Sequence, residues 1–118
     1  MDTTLIKEQI EFSEFLEIEK KLDIRMGRIT VAEQVPKSDK LLKLTVDFGD
    51  ETRTVVTNIG NRIESRFDLL IVPYPFIMNL KPTKIMGIES TAMIMIPENK
   101  EGKLELGIEK VSAGSKLI

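Results

Sequence analysis

A mainly β fold, a closed barrel of five short strands preceded by one N-terminal helix, is what this sequence predicts. Three observations carry the expectation. Apolar residues recur at every second position through residues 22–26 and 42–48, the period of a half-buried strand, and residues 52–59 are rich in β-branched Thr and Val. Turn-forming residues separate those runs at 35–40 and 49–51. The first run also slips phase at Gly27, since Leu22, Ile24 and Met26 set one alternation and the next inward pair is Ile29 and Val31. A one-residue slip at a glycine marks a β-bulge, which bends a long strand so that it serves two sheets of a barrel.

Residues 3–20 have the rhythm of a helix. Leu5, Ile6, Gln9 and Ile10 set an i, i+4 spacing that Phe12, Phe15, Leu16 and Ile18 widen into an apolar stripe, with Asp2 or Thr3 as the cap. Residues 1–21 are expected either to pack on the barrel or to meet a second subunit, and residues 22–118 to form the barrel itself. Its second strand alternates Leu42, Leu44, Val46 and Phe48 with Lys43, Thr45 and Asp47. Residues 52–59 supply a hairpin partner rich in Thr and Val. Residues 62–68 are polar enough for a short helix or a loop.

An apolar run returns at 69–78. Pro73 and Pro75 remove amide donors two residues apart, so the strand begins near Tyr74 or leaves that edge exposed. Residues 79–93 read as a loop between two buried strands, stiffened by Pro82 and given a turn by Gly87. Residues 91–96 form the next strand, 103–108 a further short one, and Gly114 introduces a last extended piece, a C-terminal extension. Together these elements describe the five-stranded Greek-key OB-fold (the oligonucleotide/oligosaccharide-binding barrel), whose strand face and adjoining loops take nucleic acid.

Composition narrows the chemistry. The 118 residues suit one domain, 42% apolar and 31% charged, an ordinary balance for a soluble globular protein. No apolar stretch approaches the roughly 20 residues that span a bilayer, and no secretion signal opens the chain, so a cytoplasmic location without a membrane partner is expected. With no Cys and no His, a thiol nucleophile, a histidine base and the usual zinc sites are excluded. No phosphate-loop, serine-elbow or dinucleotide motif is present. An enzyme is possible on this composition but poorly equipped, and no cofactor is expected. Charge is unevenly spread: residues 1–19 carry one lysine against six acids, whereas 20–84 carry twelve basic and eight acidic side chains. A positive centre between acidic ends suits a localised anion-binding face.

Three blocks then resemble a known family. They are Asp23-Ile24-Arg25-Met26-Gly27-Arg28-Ile29, then Pro36-Lys37-Ser38-Asp39-Lys40-Leu41, and Asn79-Leu80-Lys81-Pro82-Thr83-Lys84-Ile85-Met86-Gly87-Ile88-Glu89-Ser90-Thr91-Ala92-Met93. They resemble the tRNA-binding domain of the EMAP II type. That domain is found at the C-terminus of bacterial methionyl-tRNA synthetases, in multisynthetase cofactors, and as a stand-alone dimer. The likeness covers roughly residues 20–118, and the third block is the most specific. This chain departs from the pattern at Met86, where the family usually has arginine, and at Pro73 and Pro75, where most members have a plain strand.

The resemblance implies a non-catalytic homodimer that recognises the outer corner of tRNA by backbone and shape, with an aminoacyl-tRNA synthetase as a further partner. Lysines would neutralise phosphates, and RNA would be distinguished through 2′-hydroxyls and splayed bases. By position, Lys81 and Lys84 are the expected phosphate contacts, joined by Lys40. Asn79 and Ser90 are expected to hydrogen-bond sugar or base edges. Met93 either offers an apolar platform for a base or, the commoner use of such a methionine, fills the core. Arg25 and Arg28 flank the bulge and are expected to face the same groove, an ion pair with Asp23 or Glu33 being the alternative. Asn58 and Arg53 are weaker candidates. One subgroup of the same fold is chaperone-like and export-related, which makes unfolded polypeptide the alternative ligand. That subgroup is shorter around the lysine-proline loop, which this chain keeps.

Overall fold

The computed structural model describes residues 6–106 and 113–118. Its elements run α1 (Phe12–Lys21), β1 (Ile24–Gln34), β2 (Leu42–Asp47), β3 (Thr52–Thr57), a 3-10 turn at Arg66–Leu70, β4 (Tyr74–Ile77), β5 (Thr83–Ile85), β6 (Ile88–Ser90), β7 (Met93–Ile94), β8 (Pro97–Glu98) and β9 (Lys116–Leu117). Five strands form one curled antiparallel sheet in the order β3-β2-β1-β4-β7. The chain therefore leaves at one edge and returns on the far side of β1, as an OB-like barrel requires.

Strand β1 organises the sheet by changing partner along its length. Ile24 to Gly27 pair with β4, and Arg28 to Gln34 pair with β2. Gly27 stands at the change. A Cβ there would lie 2.5 Å from Phe48 Cε1 and 2.6 Å from Val46 Cγ1, so only glycine lets the Phe48 ring cross the strand at this point. The bulge predicted at Gly27 falls later, because the register shifts between Ile29 and Val31. Thr30 is the extra residue, and its hydroxyl donates to the Thr45 carbonyl at 3.2 Å. Gly27, Ile29 and Ala32 point inward, whereas Ile24, Met26 and Val31, read from the sequence as inward, are exposed. Hydropathy misplaced the phase because an inward-facing glycine carries no apolar side chain to count.

The core fills the concave face. Ile29, Leu44, Val46, Val55, Leu69, Phe76 and Ile96 are almost wholly buried, and Phe48 meets Phe76 edge-on at 5.3 Å between ring centres. Leu69 enters from the 3-10 turn, which Arg66 pins by donating from Nε to the Ala32 carbonyl at 3.0 Å. Strand β4 does begin at Tyr74, and the carbonyl of Pro75 accepts from Met95 N–H at 2.9 Å. Strands β3 and β7 are the two edges of the sheet, so the barrel closes through single bonds at that seam. Thr91 N–H donates to the Thr54 carbonyl at 3.1 Å. Val56 N–H donates to Ser90 Oγ at 3.0 Å. Arg53 Nη1 donates to the carbonyls of Met78 and Thr91 at 2.8 and 3.0 Å.

Both chain ends differ in detail from expectation. Helix α1 begins at Phe12, later than the predicted start, residues 6–11 have no regular structure, and the predicted caps Asp2 and Thr3 lie outside the described residues. No residue of α1 is buried. Phe12 and Phe15 stack on each other and remain 72% and 46% exposed. The strand expected at 103–108 is reduced to a single bridge between Glu98 and Leu104, and residues 107 and 108 lie outside the described residues. The piece after Gly114 is β9, paired with β8, and Ile118 exchanges both main-chain hydrogen bonds with Ile96. No helix among the described residues is long and apolar enough to cross a membrane.

Candidate nucleic-acid interface

Residues 79–93, expected as a loop, contain a β-hairpin. Strands β5 and β6 pair Thr83 with Ser90, Lys84 with Glu89 and Ile85 with Ile88. Met86 and Gly87 link them with φ of 50° and 81°, and two successive positive values suit the two-residue turns that match strand twist. For Met86 that left-handed geometry costs about 1–2 kcal/mol. Three-residue strands are too short to persist alone. Ile85 and Ile88 anchor them on a second small core of Val35, Leu41 and Val56. Leu41 follows Lys40, so this core also fixes the Lys40 loop, where Leu41 N–H donates to Ser38 Oγ at 3.1 Å.

The predicted site residues divide into four groups. Lys81 and Lys84 are exposed on the hairpin and its approach, with Glu89 across the ladder from Lys84. Lys40, Asn58 and Met93 meet around a groove of about 590 Å³ that Ile85 also lines. Met93, read as core filler in the first instance, is 52% exposed between buried Ala92 and Ile94, so it stands on the groove side of β7.

Asn79 and Ser90 are already engaged within the fold. Asn79 Oδ1 accepts from Asp23 N–H at 3.0 Å, and its Nδ2 donates to the Lys21 carbonyl, which ties the exit of α1 to the end of β4. Ser90 Oγ accepts from Val56 and donates to the Ala92 carbonyl at 3.3 Å. Arg53 is held at the same seam and also pairs with Glu51.

Arg25 and Arg28 do not share a groove. They are three residues apart on a stretch of strand that precedes the register shift, and so project from opposite faces. Arg25 forks onto the Asp23 carboxylate, Nε to Oδ1 at 3.0 Å and Nη2 to Oδ2 at 3.2 Å. That hydrogen bond and the Asp23 charge, with Asp50 and Glu51 adding to them, raise the arginine pKa above its usual value. The ion-pair alternative to Asp23 therefore describes Arg25. Arg28 is exposed, paired in register with Asp47.

Sequence reading missed Arg62 and Ile118, which also line the groove. Arg62 lies in a stretch read only as a polar connection, and nothing local signals its position. Its guanidinium pairs with Glu98 and donates to the Gly102 carbonyl at 2.7 Å.

An OB-like barrel bearing a lysine hairpin beside an apolar groove defines a small binding module. The chain belongs to the family described as "Putative tRNA binding domain", which matches residues 24–116. It is 44% identical over 112 residues to the methionine–tRNA ligase of Methanocaldococcus jannaschii, covering 93% of this chain and 16% of that protein. It is 45% identical over 103 residues to the ligase of Archaeoglobus fulgidus, covering 85% and 14%. The chain thus spans only a small fraction of those ligases. Among solved structures, the MetRS-related protein of Pyrococcus horikoshii aligns with a TM-score of 0.69 and 34% identity, covering 95% of this chain and 99% of that one. The chaperone CsaA of Bacillus anthracis str. Ames aligns with a TM-score of 0.63 at 24% identity, covering 94% and 99%, a likeness of fold alone.

Proposed function

We propose that this chain is a non-catalytic module that binds folded tRNA by its backbone and shape, as a homodimer acting in trans with a methionyl-tRNA synthetase in the cytoplasm. The observation that carries the reading is that Lys81, Lys84 and Lys40 are all exposed, Lys84 on a hairpin whose Ile85 and Ile88 pack on the same small core as Leu41, the residue after Lys40. Exposed cations carried on elements that share one core suit a phosphate backbone, since each phosphate neutralised releases counterions. Likeness to parts of methionine–tRNA ligases supports tRNA as the nucleic acid and a synthetase as the associate.

The test is binding to bulk tRNA over a salt series, with single-stranded RNA and duplex DNA as competitors. Replacing Lys40, Lys81 and Lys84 together by alanine is expected to weaken binding and to flatten the logarithmic salt slope by roughly 2, since each neutralised phosphate contributes about 0.7–0.9 to it. Thermal unfolding should be unchanged, because all three side chains are exposed. An unaltered slope would remove the lysines from the interface, and a wild-type chain that ignores tRNA at low salt would overturn the reading.

The dimer rests on apolar side chains left uncovered. Phe12, Phe15, Leu16 and Ile18 on α1, with Leu22, Ile24 and Met26 leading into β1, are all exposed, a density that marks an association surface. Sedimentation equilibrium should return twice the 13.4 kDa chain mass, and Phe15→Glu with Met26→Glu should return the single mass. A monomeric wild type at micromolar concentration would refute it. The same exposed apolar groups favour capture of unfolded polypeptide as the second reading. Under it, tRNA would not compete with an unfolded protein for binding.

A further inference from the structure

We infer that the cleft between residues 61–68 and the turn at 99–106 is a binding site for a free α-amino acid with an apolar side chain. The cleft, about 570 Å³, is of a size for a small ligand and lies beside the 3-10 turn. Its floor is apolar: Ile63, Leu104 and Leu106 are half-buried against the main core. Glu64 and Asp68 stand on one wall, and Lys103 with Asn99 on the other. None of the three charged side chains has an ion pair among the described residues. Glu105 also lines the cleft but accepts from Ser115 Oγ, and Arg62 is neutralised by Glu98. Two carboxylates on one wall and a lysine on the other, over an apolar floor, complement a zwitterion. Its ammonium goes to Glu64 and Asp68, its carboxylate to Lys103, and its side chain to Ile63, Leu104 and Leu106.

The walls are preformed. The Arg62 guanidinium spans them, pairing with Glu98 and donating to the Gly102 carbonyl at 2.7 Å. Asn99 Oδ1 accepts from the Glu101 and Lys103 N–H groups, both at 3.0 Å, which fixes the turn and leaves Asn99 Nδ2 to meet a carboxylate beside Lys103. Fully buried Leu69 anchors the stretch that carries Asp68. Other ligand classes fit less well. A phosphate would be repelled by Glu64 and Asp68. Among the described residues no three acidic side chains are grouped closely enough to hold a metal ion. A purely cationic ligand would leave Lys103 unanswered. Arg62 is the only residue shared with the groove near Lys40, so the inference stands apart from the tRNA-binding reading.

L-leucine is the probe, followed by amide NMR on the whole chain. Signals of residues 61–68 and 99–106 are expected to shift saturably, with a dissociation constant of roughly 1 mM or below, the range open to so small a ligand. Glycine, which lacks the apolar side chain, should bind at least about tenfold more weakly. So should 4-methylpentanoate, which lacks the ammonium, and 3-methylbutylamine, which lacks the carboxylate, since each forfeits a charge-assisted contact. Glu64→Gln with Asp68→Asn should weaken leucine binding at least about tenfold. The melting temperature should be unchanged, because both side chains are exposed. No saturable shift up to about 10 mM leucine, or undiminished affinity in the double variant, would overturn the site. An amine that binds as tightly as leucine would overturn the zwitterion. None of these measurements involves tRNA, so the site and the tRNA-binding reading fail separately.

Discussion

Phe76→Ala is expected to destabilise the barrel by about 3–5 kcal/mol, the cost of emptying an aromatic-sized volume in a core that collapses only partly. Phe76 is fully buried on β4, between β1 and β7, with Arg25 and Ile94 as its register partners. Its ring takes the edge of Phe48, which itself lies over Gly27, so the damage reaches from one sheet neighbour to the next. Against a total stability of about 5–15 kcal/mol for a domain this size, such a change leaves little margin. Urea unfolding should show a lower midpoint with an unchanged slope, and Phe76→Leu should recover part of the stability. A shift below about 1 kcal/mol would contradict the central place given to this ring.

Gly27→Ala is expected to be the next most damaging change, by about 1–3 kcal/mol or more, through overpacking in place of a cavity. The added methyl would fall 2.5 Å from a Phe48 ring carbon and 2.6 Å from a Val46 methyl, both under contact distance. Either the ring leaves its edge-on contact with Phe76 or β1 moves at the point where it changes partner. Combining Gly27→Ala with Phe48→Leu separates the two. A double mutant less destabilised than the sum of its parts identifies the ring as the obstacle, and strict additivity would show that the two sites are independent.

The hairpin of β2 and β3, the strand start at Tyr74 and the turn at Gly87 were all legible in the sequence. Strand period and turn chemistry are properties of a few adjacent residues, and there the residues agree with one another. The blocks around Asp23, Lys40 and Asn79 likewise carried the family, because a motif is local. The second hairpin was not legible. Thr83–Ile85 and Ile88–Ser90 are too short to show a period, and what holds them is distant, the core of Val35, Leu41 and Val56.

By itself, then, the sequence determined a small β barrel of the tRNA-binding family with Lys81 and Lys84 in the stretch 79–93 between two of its strands. Only the tertiary structure decided which face of β1 is inward, since Gly27 gives hydropathy nothing to count and the bulge sits at Thr30. It also decided which polar residues remain available to a ligand. Asn79 and Ser90 look like Asn58 in one dimension, but the first two meet backbone groups across the barrel and the third does not. The physical reason is that a hydrogen-bonding side chain saturates on whatever the fold brings within about 3 Å, and those neighbours are set by pairing between distant strands. The same pairing brings Lys40, Asn58 and Met93, from three separate segments, around one groove.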